Sequence, residues 1–304
     1  MVIVSFFVSK AWMDFTRILP EECLSLIISL TSPADACRSA VVSPSLRSVA
    51  DSDAVWEKFL PFDYNSIVSS SLLSLGKKEL YFNLSSHPIL IHNSTMGFQL
   101  EKGTGKKCYT LGARALSIAY EESPYKLTWT SLPESRFALT LFDDLNNDRN
   151  TKLISTSQIP SGLECIDRFP EVAELLIEWW LEVKGRIETG ILSPNTNYAA
   201  YLVYKLKAVD GIAFKQRLVG LSINVGGVAS REVRRVSLYP RDESRHVRER
   251  GDGWIEAEMG EFYNERGDDG TVEFVLKQSD SGYPVRGLIV EGIELRPKDV
   301  RQWP

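Results

Sequence analysis

The sequence predicts an α + β protein of two domains, a small all-α domain at the N-terminus followed by an antiparallel β-sandwich. Apolar residues recur at helical spacing up to about residue 61, and from about residue 109 they alternate with polar residues at a period of two. Turn signals such as Asp210-Gly211 and Gly226-Gly227 separate the alternating stretches, which is typical of antiparallel strands. We expect the helical domain at 14–62, a serine-rich linker with a short helix and a first strand at 63–105, and the sandwich at 106–304.

The composition excludes several classes of protein. Of the 304 residues, 43% are hydrophobic and 25% are charged, with a net charge of −5 that argues against a general nucleic-acid binder. No apolar run approaches the roughly 18 residues of a membrane span. The 4 cysteines form no C-x-x-C pair, so we expect no disulfide framework and no zinc site. Cys23 and Cys37 lie in apolar helical segments and are expected to be buried thiols in the cytoplasm or nucleus.

The first predicted helix, LPEECLSLIISL at 19–30, is apolar on almost every side. Pro20 suits the first helical position, and Glu21 and Glu22 suit the positive end of the helix dipole. Only Ser25 and Ser29 interrupt the apolar surface. A helix of this kind is normally buried on all sides.

Short helices follow the first one. Ser32 caps the second helix with Asp35 in capping-box fashion, Pro44 begins a third piece, and Trp56 lies in a closing segment that ends at Pro61. Fewer than 50 residues form a marginal core. Either the rest of the chain or another protein is therefore expected to cover the first helix and Trp56.

Alternating residues define the strands of the second domain. We predict one half-buried strand over 175–186, with Trp179 facing inward and Trp180 on the solvent face. Further strands are predicted around Tyr198–Leu206, Val219–Val225, Val272–Leu276 and Ile289–Leu295. The segment GTGKK at 103–107 lacks the context of a phosphate loop and is predicted to be a turn.

No set of titratable residues has the spacing of a catalytic or metal site, so we expect a non-catalytic protein without cofactor or metal. His87, His92 and His246 are interpreted as surface histidines. The acidic pairs 143–144 and 268–269 fit solvated loops better than calcium sites. The arginine-rich run 231–250 either binds an anion or forms a solvated loop with internal ion pairs.

Aromatic residues cluster in GARALSIAYEESPYKLTW, residues 112–129. Tyr120, Tyr125 and Trp129 lie there together with Glu121 and Glu122. Aromatic faces with nearby carboxylates are typical of sugar binding, and the alternative is aromatic core filling at strand ends.

The helical segment LPEECLSLIISLTSPADACRSAVVSPSLRSVADSDAVWEKFLP resembles an F-box. F-box modules dock onto a Skp-type adaptor in a cullin-containing ubiquitin ligase, so the resemblance implies that these partners cover the apolar helix. Many F-boxes have a tryptophan where this chain has Leu46. The implied adaptor-binding residues are Leu19, Pro20, Leu24, Ile27, Ile28 and Trp56.

The blocks KKCYTLGARALSIAY, EVAELLIEWWLEVKGRIET, TNYAAYLVYKL, GDGWIEAEMGEFYN and GLIVEGIELRP are similar, in order, to the phloem protein 2 family. That family includes tobacco-leaf lectins that recognise N-acetylglucosamine oligomers and N-glycans, which implies a lectin-like sandwich of the jelly-roll type. The glycan-binding members have tryptophans where this chain has Tyr120 and Leu127. Only Tyr120 and Trp129 therefore carry over as possible glycan-binding residues.

The two resemblances together imply a substrate-recognition adaptor of a ubiquitin ligase. The F-box would dock the Skp-type adaptor and through it the cullin, and the second domain would recruit a target, by its glycans or by its protein surface. The alternative is a lectin-like protein that acts outside a ligase.

Overall fold

The structure is a computed structural model that describes residues 19–132, 169–177, 179–207, 213–228, 232–240, 245–267, 270–278 and 284–298. Two compact units divide the chain after Tyr81, and residues 103–105 group with the first unit. Within the described ranges, no helix is long and apolar enough to cross a membrane.

The first unit is helical. Its α2 and α3 begin where the sequence predicts, because Ser32 and Ser43 accept hydrogen bonds from the backbone N–H groups of Asp35 and Leu46 and each is followed by a proline. Pro20 takes the N-cap position of α1 rather than the first helical position. The helices are α1 (Glu21–Ser29), α2 (Pro33–Ala40), α3 (Pro44–Ala50), α4 (Asp53–Trp56), α5 (Tyr64–Ile67), α6 (Ser70–Leu73) and α7 (Lys77–Ser86), the last of which continues into the second unit.

The serine-rich segment predicted as a linker contains α5 and α6 and contributes to the core of the helical unit. Tyr64, Val68 and Leu72 are buried, and they follow each other at intervals of four residues. Tyr64 comes from α5 and Leu72 from α6, and Val68 has an extended conformation between the two helices, while the intervening serines face solvent. The Tyr64 hydroxyl donates to Glu57 Oε1 at 2.9 Å and accepts from Lys77 Nζ at 2.6 Å.

The second unit contains two antiparallel sheets. The nine-stranded sheet has the order β1-β2-β3-β14-β8-β12-β11, and β5 and β6 join it because β6 pairs with β14. The five-stranded sheet has the order β10-β9-β13-β7-β4. The strands are β1 (Ile89–Ile91), β2 (Met96–Leu100), β3 (Lys107–Gly112), β4 (Ser117–Ile118), β5 (Leu127–Thr130), β6 (Val172–Leu175), β7 (Leu181–Glu188), β8 (Thr196–Leu206), β9 (Leu218–Val225), β10 (Arg234–Ser237), β11 (Val247–Glu249), β12 (Ile255–Asn264), β13 (Thr271–Gln278) and β14 (Leu288–Pro297), and a short helix α8 (Ala213–Gln216) precedes β9.

The core lies between the two sheets. Phe262 on β12 stacks on Tyr198 of β8 at 5.8 Å and contacts Phe274 of the other sheet at 6.3 Å between ring centroids. On β7, a side chain at Gly185 would come within 3.0 Å of Ile293 on β14, so the small residue allows the layers to approach. The predicted antiparallel β-sandwich is confirmed.

One strand prediction is wrong in its extent. The stretch 175–186 is not a single strand, because β6 ends at Leu175 in the nine-stranded sheet and β7 begins at Leu181 in the five-stranded sheet. Trp179, predicted to face inward, is 56% exposed in the connection between them. The predicted turn at GTGKK is confirmed, because the Glu101 N–H donates to the Lys106 carbonyl at 2.7 Å between β2 and β3.

Candidate functional site

The α1 helix has two different apolar faces. Leu24 and Ile28, four residues apart, are buried at 8% and 5% exposure and pack inside the helical unit. On the opposite side Leu26, Ile27 and Leu30 are exposed at 58%, 51% and 78%, and Cys23 is exposed with them. We call Cys23, Leu26, Ile27 and Leu30 the apolar stripe. Their spacing of three and four residues places them along one face of the helix.

A cleft adjoins the apolar stripe between α1 and α4. Leu26 lines it together with Glu21 and Glu22 of α1 and Lys58, which follows α4. A partner that covers the stripe therefore also meets two carboxylates and an ammonium group at this edge. Val41 and Val42, just after α2, are further exposed aliphatic residues of the same unit, at 76% and 72%.

Trp56 lies in the core of the helical unit, which corrects the prediction that it belongs to an exposed surface. Its exposure is 0%, and its indole N–H donates to the Ala50 carbonyl at 2.7 Å. Phe59 and Tyr81 contact its ring at centroid distances of 5.5 and 5.2 Å. The spacing of the segment directs all four of its large apolar side chains inward, namely Val55, Trp56, Phe59 and Leu60. Trp56 therefore stabilises the packing of the helices and has no exposed surface for another protein.

The six residues that the F-box resemblance proposes for docking therefore divide into two groups. Pro20 and Ile27 are exposed, and Leu19 is half-buried. Leu24, Ile28 and Trp56 are buried within the unit. The sequence reasoning missed Leu26 and Leu30 on the stripe. The sequence pattern could have identified them, because residues 23, 26, 27 and 30 share one helical face opposite residues 24 and 28.

In the second unit, two connections cross between the sheets side by side. Residues 119–126 lead from β4 to β5, and residues 176–177 and 179–180 lie in the connection between β6 and β7. The Leu176 N–H donates to the Lys126 carbonyl at 2.7 Å and links the two connections, and the Ala119 N–H donates to the Glu182 carbonyl at 2.9 Å.

Four exposed aromatic side chains project from these connections. Tyr120 and Tyr125 lie on the first, at 42% and 84% exposure, and Trp179 and Trp180 lie on the second, at 56% and 38%. We call these four residues the aromatic corner. The Tyr120 and Trp180 rings meet edge to face, with centroids 6.3 Å apart and planes at 86°. Tyr120 has a φ of 65°, a left-handed conformation that is uncommon for a residue other than glycine.

Tyr120 and Trp129, the possible glycan-binding residues, do not form a joint platform. Within the described residues no ring contact joins them, and a cation of the same chain covers one face of each ring. The Lys126 ammonium lies 3.3 Å from the centroid of Tyr120, and the Arg114 guanidinium lies 3.6 Å from that of Trp129. Arg114 is fixed by a 2.6 Å ion pair with Glu171.

Leu127 does not face solvent. It is 2% exposed on β5 and pairs with Leu175 of β6, so the position that carries a tryptophan in the glycan-binding relatives is a core position in this chain. The sequence reasoning placed Trp180 on the solvent face, and it is 38% exposed, but it missed Trp179 as a surface residue. The predicted alternation assigned Trp179 to the inward side of a strand, and the structure has no strand at this position.

Three arginines of the arginine-rich run form ion pairs with glutamates of the strands. Arg234 contacts Glu258 at 2.9 Å. Glu256, at 2% side-chain exposure, forms ion pairs with Arg248, Arg250 and Arg296. The Glu256 pairs link β11, β12 and β14 of the nine-stranded sheet, and the Arg234 pair links β10 of the five-stranded sheet to β12, which indicates a structural role.

The remaining candidates are metal-binding acidic residues and reactive cysteines. Among the described residues no group of three or more His, Cys, Asp or Glu could hold a metal. The acidic pairs 143–144 and 268–269 and Cys165 lie outside the described residues. Cys23 is exposed and Cys37 half-buried, so the expectation of buried thiols in these helices is wrong for Cys23.

Comparisons with known proteins agree with this two-part architecture. The family model for the F-box domain matches residues 17–58, and the model for Phloem protein 2 matches residues 150–297. The chain is 39% identical over 292 residues to F-box protein At2g02240 of Arabidopsis thaliana. The matched region covers 92% of this chain and 79% of that protein. It is 36% identical over 289 residues to F-box protein PP2-B10 of the same plant, covering 92% and 93%.

The chain belongs to the F-box proteins with a phloem protein 2 domain. Both family predictions are thereby confirmed. A family 35 carbohydrate-binding module from Clostridium thermocellum resembles the chain with a TM-score of 0.30 and 11% identity, covering 63% of this chain and 98% of the module. That likeness is too low to carry an argument about a ligand.

Proposed function

We propose that this F-box protein is the substrate-recognition subunit of a ubiquitin ligase that contains a cullin and a Skp-type adaptor. The apolar stripe of α1 carries the proposal. It lies in the segment that matches the F-box domain and exposes Leu26, Ile27 and Leu30 on one helical face. The phloem protein 2 domain would hold the target.

The energetics of the stripe support docking. Fully burying a leucine or isoleucine side chain is worth about 1.5–3 kcal/mol. Three such side chains offer a partner several kcal/mol, which offsets part of the cost of association. Because Leu24 and Ile28 already anchor α1 from its other side, the exposed face is presented on a helix that stays in place.

The mechanism of such an adaptor is proximity. By holding a target and the ligase core in one complex, the chain raises the effective concentration of a target lysine near the ubiquitin-charged enzyme and makes no covalent bond itself. A target can be recognised through an N-glycan or through a protein surface. A glycan could use only the uncovered faces of Tyr120 and Trp129.

Capture of a purified Skp-type adaptor by the full chain tests the proposal. We expect the variant Ile27→Asp/Leu30→Asp to lose capture, because it places two charges on the stripe without touching the core. Leu218→Asp is the matched control, since Leu218 on β9 is 55% exposed and Ile27 is 51% exposed. We expect this control to capture normally.

Two outcomes would contradict the adaptor proposal. One is that the folded wild-type chain captures none of several Skp-type adaptors. The other is that the stripe variant captures as well as the wild type. In the first case, saturable binding of N-acetylglucosamine oligomers to the same chain would favour the lectin-like alternative.

A further inference from the structure

We propose that the aromatic corner binds a protein segment rich in lysine or arginine. The corner would be the target-recruiting surface of the ligase subunit, and for that role the inference rests on the proposed function. Its binding chemistry, however, follows from the corner alone and can be measured whether or not the chain captures an adaptor.

The first argument is that the corner is a fixed arrangement of exposed rings. The two connections that carry it are held together by the bond from the Leu176 N–H to the Lys126 carbonyl. Successive turns close the first connection, with the Ser123 N–H donating to the Tyr120 carbonyl at 2.9 Å and the Lys126 N–H to the Ser123 carbonyl at 3.0 Å. These bonds fix the backbone that carries the rings, and the contact between Tyr120 and Trp180 orients two of the four rings, which lowers the ordering cost of binding.

The second argument is that the rings in this region already bind cations. The face of an aromatic ring attracts ammonium and guanidinium groups. Lys126 occupies one face of Tyr120 at 3.3 Å, and Arg114 occupies one face of Trp129 at 3.6 Å. Trp179 and Tyr125 have no such contact among the described residues and are more than half exposed, so they offer the same chemistry to a partner.

The third argument is the charge beside the rings. Glu121 and Glu122 directly follow Tyr120 and are exposed, and neither forms an ion pair within the described part of the chain. In contrast, Glu171, Glu174 and Glu182 nearby are neutralised by Arg114, Lys207 and Lys184. The corner therefore retains negative charge that a basic segment would complement.

The fourth argument is the hydrogen-bonding chemistry of the exposed side chains. The carboxylates of Glu121 and Glu122 only accept hydrogen bonds, and ammonium and guanidinium groups only donate them. Carboxylates also accept from sugar hydroxyls, so competition with a sugar separates the two kinds of ligand.

The test uses the full chain and a fluorescein-labelled peptide of alternating lysine and serine, titrated by fluorescence anisotropy. We expect saturable binding that weakens as salt is added, because exposed charges are screened. A peptide with glutamine in place of lysine should not bind. N-acetylglucosamine trimer, added in excess, should not displace the lysine peptide.

Two variants locate the binding surface. Glu121→Gln/Glu122→Gln removes charge but not volume, and we expect it to weaken binding about fivefold to tenfold. Trp179→Ser/Trp180→Ser removes two rings and should weaken binding at least as much. The control Tyr263→Ser/Glu265→Gln changes an exposed ring and an exposed carboxylate at the end of β12 and should bind like the wild type.

The proposal is overturned if the lysine peptide does not bind, if both corner variants bind it like the wild type, or if the trimer displaces it from the wild type. Circular dichroism of each variant confirms that it is folded. Adaptor capture by the corner variants should be unchanged, because the apolar stripe is intact. Loss of peptide binding and loss of adaptor capture therefore report on two separate proposals.

Discussion

The helical unit and the aromatic corner differ in whether they expose tryptophan or aliphatic side chains. The helical unit buries Trp56 and exposes aliphatic side chains on the apolar stripe. The corner exposes Trp179 and Trp180 and buries the aliphatic Leu127 next to its first connection. Each region presents the residue type that the proposed partner would bind.

The difference teaches that tryptophan content alone does not identify a binding surface. Trp56 donates its indole hydrogen bond within the helical unit and contacts two other rings. It is 0% exposed, so it offers no surface to another protein. Trp180 meets only the edge of Tyr120 among the described rings. Aliphatic residues on a helix fit a flat apolar partner surface, whereas exposed rings fit a cation or a flat ligand face.

The largest expected effect is that of Trp56→Ala. We expect it to lower the free energy of unfolding by about 3–5 kcal/mol, because it leaves a cavity between Phe59 and Tyr81 and frees the Ala50 carbonyl. Trp180→Ala, at 38% initial exposure, should cost far less, about 1 kcal/mol or below. Urea denaturation of both variants measures the difference.

If Trp180→Ala destabilised the chain as much as Trp56→Ala, the aromatic corner would be core rather than surface. If Trp56→Ala left stability unchanged, the assignment of Trp56 to the core would be wrong. Trp56→Phe serves as the intermediate case, since it keeps most of the volume and removes the hydrogen bond.

The sequence was sufficient to predict the first helices, α1 to α4, but not α5 and α6 or the direction of the helical side chains. Capping residues such as Ser32 act locally, so they mark helix starts from sequence. The α1 helix is apolar on nearly every side, and such a pattern does not say which side meets the rest of the unit. That depends on tertiary neighbours, which is why Trp56 and Ile28 were predicted at the surface.

The prediction of strands in the sandwich had a similar limit. Alternation predicted β8, β9, β13 and β14. In β9 and β13 burial alternates along the strand, whereas consecutive residues of β8 and β14 are mostly buried. Alternation failed at 175–186, where an apparently continuous pattern spans the change from one sheet to the other. Sheet membership is a long-range property, since β6 pairs with β14 and β7 with β13. The aromatic corner lies at that change, so the exposure of Trp179 and the contact between Tyr120 and Trp180 could not be predicted.

The next largest effect on stability is expected from a substitution on the buried face of α1, compared with one on its exposed face. Ile28→Ala should cost about 2–4 kcal/mol of stability, because Ile28 is 5% exposed. Ile27→Ala, one residue earlier and 51% exposed, should change stability by about 0.5 kcal/mol or less and should weaken adaptor capture. Denaturation and capture measured on both variants check this. Equal destabilisation by the two would remove the distinction between the buried face and the apolar stripe.

A smaller effect is expected at the start of α2. Ser32→Ala removes the cap that accepts from the Asp35 N–H at 3.1 Å and should cost about 1 kcal/mol. Ser48→Ala on the exposed side of α3 is the control and should be neutral. Thermal unfolding of the two variants measures this, and a neutral Ser32→Ala would show that the cap does not limit the stability of the unit.

The smallest expected effect concerns the ionisation of Asp35. The Ser32 hydroxyl donates to its carboxylate at 2.7 Å and Arg38 donates at 2.5 Å, and these bonds lower the pKa of Asp35 below its usual 3.8. Because the folded pKa is the lower one, the stabilisation is present above the unfolded pKa and is lost as pH falls through the folded pKa. Titration of the carboxyl signal by NMR measures this pKa directly. The hydrogen bond from the Ser32 hydroxyl is the largest cause of the lowered pKa and the one from Arg38 the next, so Ser32→Ala and Arg38→Ala should each raise the pKa of Asp35. A variant with an unchanged Asp35 pKa would contradict the contribution of the bond that it removes.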